Sequence, residues 1–323
     1  MNKLRFKVKD GFSGTRLDQF ISLQGVELSK RKIKEVIDAG GVYINGKRAR
    51  IASRPVNDGD LIEMQYNLET LKKIKQREHE LEDKDVLFHE GDVIAVNKPP
   101  GLPTQATRDQ ALVHLEAAVK KYLARKPGSP NAQKQAAIHL VHRLDKETSG
   151  VVLLASSTAA TTFLTEQFRQ RTVKKEYLAI CSGIPDQKKF VVECFLSPID
   201  RKTGNVSVVR SGGKPSRTSF EVLKTNPALK LSLIRCLPET GRSHQIRVHL
   251  AHAGFPIIGD KRYLRGKIKL PVALEALAAE HHFLHALRLT FAPAAGAREV
   301  TVEASLPPNF TGFLENSLLT DKR

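Results

Sequence analysis

The run His142 to Ser156, HRLDKETSGVVLLAS, constrains this chain more than any other stretch of it. Gly150 to Ala155 are continuously apolar, the pattern of a strand covered on both faces, and far too short to span a membrane. Directly ahead stand Arg143, Asp145 and a Thr148-Ser149-Gly150 turn, so a rigid buried element holds a carboxylate at its entrance. A lone aspartate in such a place caps a turn or joins a surface ion pair worth very little. Its company points further. Two cation-rich segments, KKEY (174–177) and TGRSHQIRVH (240–249), lie on elements that can converge on it.

What such a site would act on is indicated by charge. The 323 residues carry a formal net charge of +18 and a pI near 9.9, a surface that attracts polyanions. Nucleic acid is the first candidate. Anionic membrane is the weaker one, because no basic helix rich in Trp or Phe occurs. With no Trp and five Tyr, extended base-stacking platforms are not expected. The opening MNKLRFKVKD alternates charged and apolar residues and does not read as a secretory signal. Cys181, Cys194 and Cys236 are isolated, without a C-x-x-C, and read as buried thiols of a reducing compartment, the cytoplasm.

Residues 1–66 have the pattern of a small independent module. Thr15 is placed to cap a helix whose Leu17, Phe20 and Ile21 share a face. A second helix starts at Ser29, buries Ile33, Val36 and Ile37, and stops at Gly40 or Gly41. Its other face carries Lys30, Arg31, Lys32 and Lys34. An Asn45-Gly46 hairpin follows, bearing Lys47, Arg48 and Arg50, and then a strand in NDGDLIEMQY. The clustered cations are candidates for RNA binding. RLDQFI, SKRKIKEVIDAGGVYING and GDLI together resemble an S4 RNA-binding domain over nearly all of residues 15–65.

Residues 67–84 lose periodic apolar content and read as a charged linker. From residue 85 to 323 strands outnumber helices and often join through tight turns, as at Glu90-Gly91-Asp92. The expected class is α+β, with a mixed, mostly antiparallel sheet flanked by helices. Helices are expected at 110–125, in STAATTFLTEQFRQR and in HQIRVHLAHAG; PGSPNAQKQ reads as a loop and GGKPS as a hairpin turn.

The second region resembles the RluA-type pseudouridine synthases. HRLDKETSGVVLLA matches their signature, and KPPGLPTQ, KKEYLAI, GGKPSRTSFEVL, TGRSHQIRVHLAHAGFPIIGDKRY and FLHALRLTF follow in family order over about residues 86–315. The resemblance implies isomerisation of uridine to pseudouridine in RNA, with no cofactor. It makes Asp145 the catalytic carboxylate, Arg247 its cationic partner and Tyr177 the residue packed on the target base. Arg143 would fill the space left by a flipped nucleotide and hold phosphates, and Leu284 would pack near the base. The chain departs from the family in GLPTQAT, where members often carry G-L-x-V-H-P. An attached S4-like domain points to structured RNA, foremost large-subunit rRNA, with tRNA as the other substrate.

Other readings stay open on the sequence alone. Tyr177 and Leu284 suit an ordinary sheet core, Arg247 an exposed phosphate-binding turn, and Arg143–Asp145 a surface pair. His249/His252 and His281/His285 have zinc-compatible spacing, but no H-E-x-x-H or cysteine partner accompanies them, and no metal is expected. A non-catalytic RNA-binding or ribosome-assembly protein would share the basic surface without needing the trio Asp145, Tyr177 and Arg247. A glycoside hydrolase would need a second carboxylate such as Glu147. The expected protein is a monomer that works on RNA without membrane, metal or cofactor.

Overall fold

The computed structural model describes residues 2–38, 40–49, 51–66, 80–106, 114–125, 137–200, 202–264, 266, 268–279 and 281–317. The chain divides into two compact units, residues 1–80 with 105–121, and residues 81–104 with 122–323.

The first unit is built on two short helices, α1 (Leu17–Leu23) and α2 (Lys30–Asp38), and four strands: β1 (Asn2–Lys7), β2 (Val42–Ile44), β3 (Lys47–Ala49) and β4 (Leu61–Tyr66). The sheet runs β1-β4-β2-β3, antiparallel throughout. Its core holds Leu17, Phe20, Ile21, Ile33, Val36 and Ile37 from the helices, against Val42, Ile44, Ile62 and Met64. Asn45 and Gly46 both have positive φ (50° and 73°), as the tight primed hairpin turn requires. Ser29 caps α2 through its hydroxyl, which accepts from Lys32 N at 3.4 Å. The cap of α1 differs from expectation: it is Arg16, in extended conformation and ion-paired with Asp18, while Thr15 bonds through its backbone to Phe12 and Val56. Strand β1 adds an edge through the alternation of Leu4 and Phe6 with Lys3, Arg5 and Lys7.

Of the expected linker, residues 67–79 lie outside the described residues; Leu81 is buried, and Asp83–Asp85 form a 3-10 turn. The strands of the second unit are β5 (Val86–Glu90), β6 (Val93–Lys98), β7 (His139–Leu140), β8 (Ser149–Ala155), β9 (Lys174–Ser182), β10 (Lys189–Leu196), β11 (Val208–Val209), β12 (Lys214–Asn226), β13 (Leu231–Pro238), β14 (Leu284–Phe291) and β15 (Val300–Glu303). They make one sheet in the order β11-β10-β12-β13-β9-β14-β8-β6-β5, with β15 on β14 and β7 on β8. Only the β14–β8 contact is parallel among the described strands. Helix α3 (Leu115–Arg125) has residues 115–121 in the first unit and 122–125 in the second, and the second unit's other helices are α4 (Thr158–Gln170), α5 (Gln245–His252), α6 (Val272–Ala278) and α7 (Pro308–Asn316). Residues 110–113 of the expected 110–125 helix, and the expected PGSPNAQKQ loop, lie outside the described residues. GGKPS is not a hairpin turn: β11 and β12 lie on opposite sides of β10, and Gly213 passes over its end at Leu196. Cys194 is only half-buried, whereas Cys181 and Cys236 are buried, and all three are free thiols.

Beyond the helices, one face of the sheet meets solvent through a row of alternating charges. Glu303, Arg288, Glu176, Arg235, Glu221 and Lys189 link six adjacent strands from β15 to β10, at N···O separations of 2.6, 3.7, 3.0, 2.9 and 3.8 Å. Three cations meet three carboxylates, so this face does not supply the excess positive charge. Among the described residues no helix is long and apolar enough to cross a membrane.

Candidate active site

Strand β8 is buried along its whole length, and its first residues fix the turn before it. Gly150 pairs with Ala286 of β14, and Ala286 pairs on its other edge with Tyr177 of β9. The approach requires glycine: a Cβ at 150 would lie 2.1 Å from the Ala286 carbonyl oxygen, and its φ is 112°. One row across three strands therefore brings the Asp145 turn to Tyr177.

That turn is clamped from both sides. Ahead of it, Lys98, fully buried, donates to the carbonyls of Pro99 and Leu102 at 2.9 Å and of Lys146 at 3.0 Å. Burial pushes this amine down to about 7, against the pull of the Glu147 and Asp145 charges. Its three acceptors nonetheless match the three protons of an ammonium, the state this geometry fits. Thr104 donates its hydroxyl proton to Leu144 O (2.7 Å) and accepts from Leu144 N (3.3 Å), so a residue at the GLPTQAT departure holds the backbone beside Asp145. Behind it, three consecutive residues each bond a histidine: Glu147 to His281, Thr148 to His282 (2.8 Å) and Ser149 to His285 (2.9 Å). Burial pushes His282 and His285 down to about 4, so both rings are neutral near pH 7. His281 and His285, one of the two pairs with zinc-like spacing, are thus hydrogen-bonding struts here.

Asp145 sits at the open end of this frame, its side chain 29% exposed, with Oδ2 accepting from Arg247 Nη1 at 2.6 Å. Arg247, on α5, is only 7% exposed. Two more of its donors are taken by Asp260, whose carboxylate is 0% exposed and accepts from Nε at 2.7 Å and Nη2 at 2.8 Å. The guanidinium also stacks over Tyr263 at 5.0 Å. Burial opposes its charge, but Asp260 and Asp145 outweigh that and hold Arg247 above its ordinary range. Asp260 is in turn held below the usual carboxylate range by Arg247, against burial. His244, in the left-handed conformation ahead of α5, places Nε2 3.9 Å from Asp145 Oδ1 and bonds Tyr263 OH through Nδ1 at 2.7 Å.

The trio expected from sequence is therefore brought to one place. Burial first, and the Asp145 charge second, hold the Tyr177 phenol above its usual range. Leu284 is buried on the same sheet face as Tyr177, within the core cluster. Arg143 is exposed and makes no ion pair among the described residues, so the Arg143–Asp145 surface pair does not form. In the first unit Lys30, Lys32, Lys34, Lys47 and Arg48 are exposed, and Arg48 bonds and stacks on Tyr43; the side chain of Arg31 lies outside the described residues. Lys98, His244, Asp260 and Tyr263 are additions. Asp260 left one trace in the sequence, a carboxylate closing the apolar run FPIIG.

Residues 92–252 match the RNA pseudouridylate synthase family model, and residues 15–62 the S4 domain model. Among curated relatives, the ribosomal large subunit pseudouridine synthase D of Xanthomonas campestris pv. campestris is 32% identical over 93% of this chain and 88% of its own. The corresponding synthase C of Rickettsia bellii is 31% identical, covering 92% and 96%. The chain belongs to the RluA-type RNA pseudouridine synthases. Among solved structures, human RNA pseudouridylate synthase domain containing 4 superposes with a TM-score of 0.57 at 28% identity, over 74% of this chain and 95% of its own. An RNA pseudouridine synthase breaks the bond from ribose C1′ to uracil N1 and rejoins the base through C5. It needs a placed, ionised carboxylate and a target base taken out of its stack.

Proposed function

We propose that this synthase isomerises uridines of large-subunit rRNA, with Asp145 as the catalytic carboxylate. The observation that carries the assignment is the Asp145–Arg247 contact of 2.6 Å, with Arg247 fixed from behind by Asp260. The guanidinium fixes the carboxylate's position and offsets the cost of drawing its charge partly out of water. Ionised Asp145 serves attack at C1′, attack at C6, or proton removal at C2′ through a glycal. Tyr177 packs on the flipped base, with Leu284 behind it. Exposed Arg143, two residues before Asp145, is free to enter the vacated stack and meet phosphate.

The rRNA assignment rests on the relatives named for the large ribosomal subunit and on the S4 domain. In this reading residues 1–66 bind RNA through Lys30, Arg31, Lys32, Lys34, Lys47 and Arg48, residues 67–84 link, and residues 85–323 catalyse. The protein works in the cytoplasm as a monomer, without metal or cofactor. The test maps pseudouridines in rRNA by chemical labelling and primer extension, with and without the protein. Asp145→Asn is expected to keep RNA affinity and form no product. Full conversion by that variant removes Asp145 from its role, and product in tRNA alone removes the rRNA assignment.

A further inference from the structure

Two buried or part-buried lysines flank the site, and they are satisfied differently. All three protons of Lys98 are used by three backbone carbonyls, as the struts of the Asp145 turn require. Lys175 donates to one acceptor only, Thr240 O at 3.1 Å, and no carboxylate lies within ion-pair reach of it among the described residues. The adjacent Glu176 points to the opposite face of β9, where Arg235 and Arg288 take it. Lys175 and Tyr177 share a face of one strand, about 7 Å apart along it.

The single anchor of Lys175 is itself rigid. Thr240 donates its hydroxyl proton to Gln245 Oε1 (2.7 Å), which also accepts from Arg242 N (2.9 Å). Gln245 Nε2 donates to Arg217 O (3.0 Å) and Thr218 Oγ1 (2.9 Å). That glutamine opens α5, the helix carrying Arg247, so the Lys175 ammonium is fixed relative to the Asp145 partner. The next residue, Gly241, leaves room: even a Cβ there would stand 3.9 Å from Lys175 Nζ. Arg171, just beyond α4, adds a second cation without a carboxylate among the described residues. Burial, and then the Arg171 charge, push the Lys175 amine down to about 8, and burial first, with the Lys175 charge second, holds part-buried His142, at the head of the Asp145 turn, near 3. Among the described residues this is a positive site with donors to spare and no anion of its own.

We propose that Lys175, with Arg171, binds a backbone phosphate of the RNA strand that enters on the Tyr177 side of the active site. The inference rests on the function proposed above, and it names the ligand chemistry of a position outside the Asp145–Tyr177–Arg247 trio. An ammonium held by one carbonyl keeps two donors for phosphate oxygens, and the anion restores the charge that burial disfavours.

The test is the salt dependence of binding to in vitro-transcribed large-subunit rRNA, for the full chain and for Lys175→Gln, Lys175→Arg and Arg171→Gln. Loss of one phosphate contact lowers the slope of log K against log salt by about 0.7–0.9. Lys175→Gln is expected to lose that much and to bind on the order of tenfold more weakly at low salt. Lys175→Arg is expected to retain the wild-type slope, which a purely structural lysine would have no reason to restore. A wild-type slope in Lys175→Gln, folded as judged by its melting curve, overturns the proposal. Should that variant not fold, Arg171→Gln carries the test, and an unchanged slope there overturns it equally. Failure of the function itself looks different: the wild-type protein then converts no uridine in this RNA, whatever its salt dependence.

Discussion

Replacing Asp260 by Asn should unhinge the active-site arginine while leaving Asp145 untouched. Asp260 Oδ1 accepts from Arg247 Nη2 (2.8 Å), Arg262 N (3.0 Å) and Tyr263 N (3.3 Å), and Oδ2 accepts from Arg247 Nε (2.7 Å). An asparagine supplies one carbonyl oxygen and one NH2. Whichever way it turns, a donor faces a donor of the guanidinium, in a place where the aspartate is 0% exposed. Breaking a buried pair on one side costs about 3–5 kcal/mol where the charge keeps no partner; Arg247 keeps Asp145, so the lower end, about 3 kcal/mol, is expected. Freed of its anchor, Arg247 no longer presents Nη1 at 2.6 Å from Asp145, and misplacement by about 1 Å costs about a hundredfold in rate. Urea unfolding measures the first effect, and single-turnover conversion of saturating RNA measures the second. The double variant Arg247→Met/Asp260→Leu separates them: with the buried charge and its buried partner both gone, part of the lost stability should return, less what the Arg262 and Tyr263 N–H groups and Asp145 lose in partners, while activity stays lost. Asp260→Asn within 1 kcal/mol of wild type on the same order-of-magnitude scale, and fully active, would refute the idea that this pair positions the site.

Three further outcomes follow from the geometry. His282 and His285 are held near 4, below their unfolded value of 6.5, so the unfolded chain binds more protons between those limits. Their contribution, on the order of 3 kcal/mol each, is complete above pH 6.5 and is lost as pH falls toward 4; greater stability at pH 4.5 than at pH 7 in urea unfolding contradicts neutral rings. Gly150→Ala forces a Cβ onto the Ala286 carbonyl and should cost about 3 kcal/mol or more, with loss of activity; a melting curve at the wild-type temperature would show the strands free to part. In the first unit, Lys32→Gln/Lys34→Gln should weaken rRNA binding and lower its salt slope by about 0.7–0.9 per lost contact, and an unchanged slope takes that face of α2 off the RNA.

Much of this architecture is written locally. The apolar stretch 150–155 demands a covered strand, Asn45-Gly46 demands a primed turn, and Ser29 starts a helix whose apolar stripe leaves its lysines outside. Local rules fail where a partner is distant. Strand β1 was signalled only by weak alternation and is secured by β4, some sixty residues on. Helices α6 and α7 leave little periodic trace because each is short and buries few side chains: Leu274 from one, and Phe310, Phe313 and Leu314 from the other. The active site divides in the same way. Asp145 is recognisable from the turn around it, but what makes its surroundings specific is non-local: Arg247 is 102 residues away, and Lys98 reaches Lys146 across 48.

The lysines show why composition cannot replace this accounting. Lys98 ends an apolar strand and Lys175 begins one, and a pattern reader has no ground to treat them differently. Burial separates them only in degree, Lys98 fully and Lys175 partly, and both amines are pushed down. The distinction lies in acceptor count. Three carbonyls complete one ammonium and bind it into the scaffold, whereas a single carbonyl leaves the other short of partners, on the face of β9 that also carries Tyr177. A net charge of +18 can therefore be resolved into roles. Cations laddered with carboxylates across the sheet are neutralised there, those saturated by backbone shape the Asp145 turn, and those left with donors but no anion are the ones an RNA strand can complete.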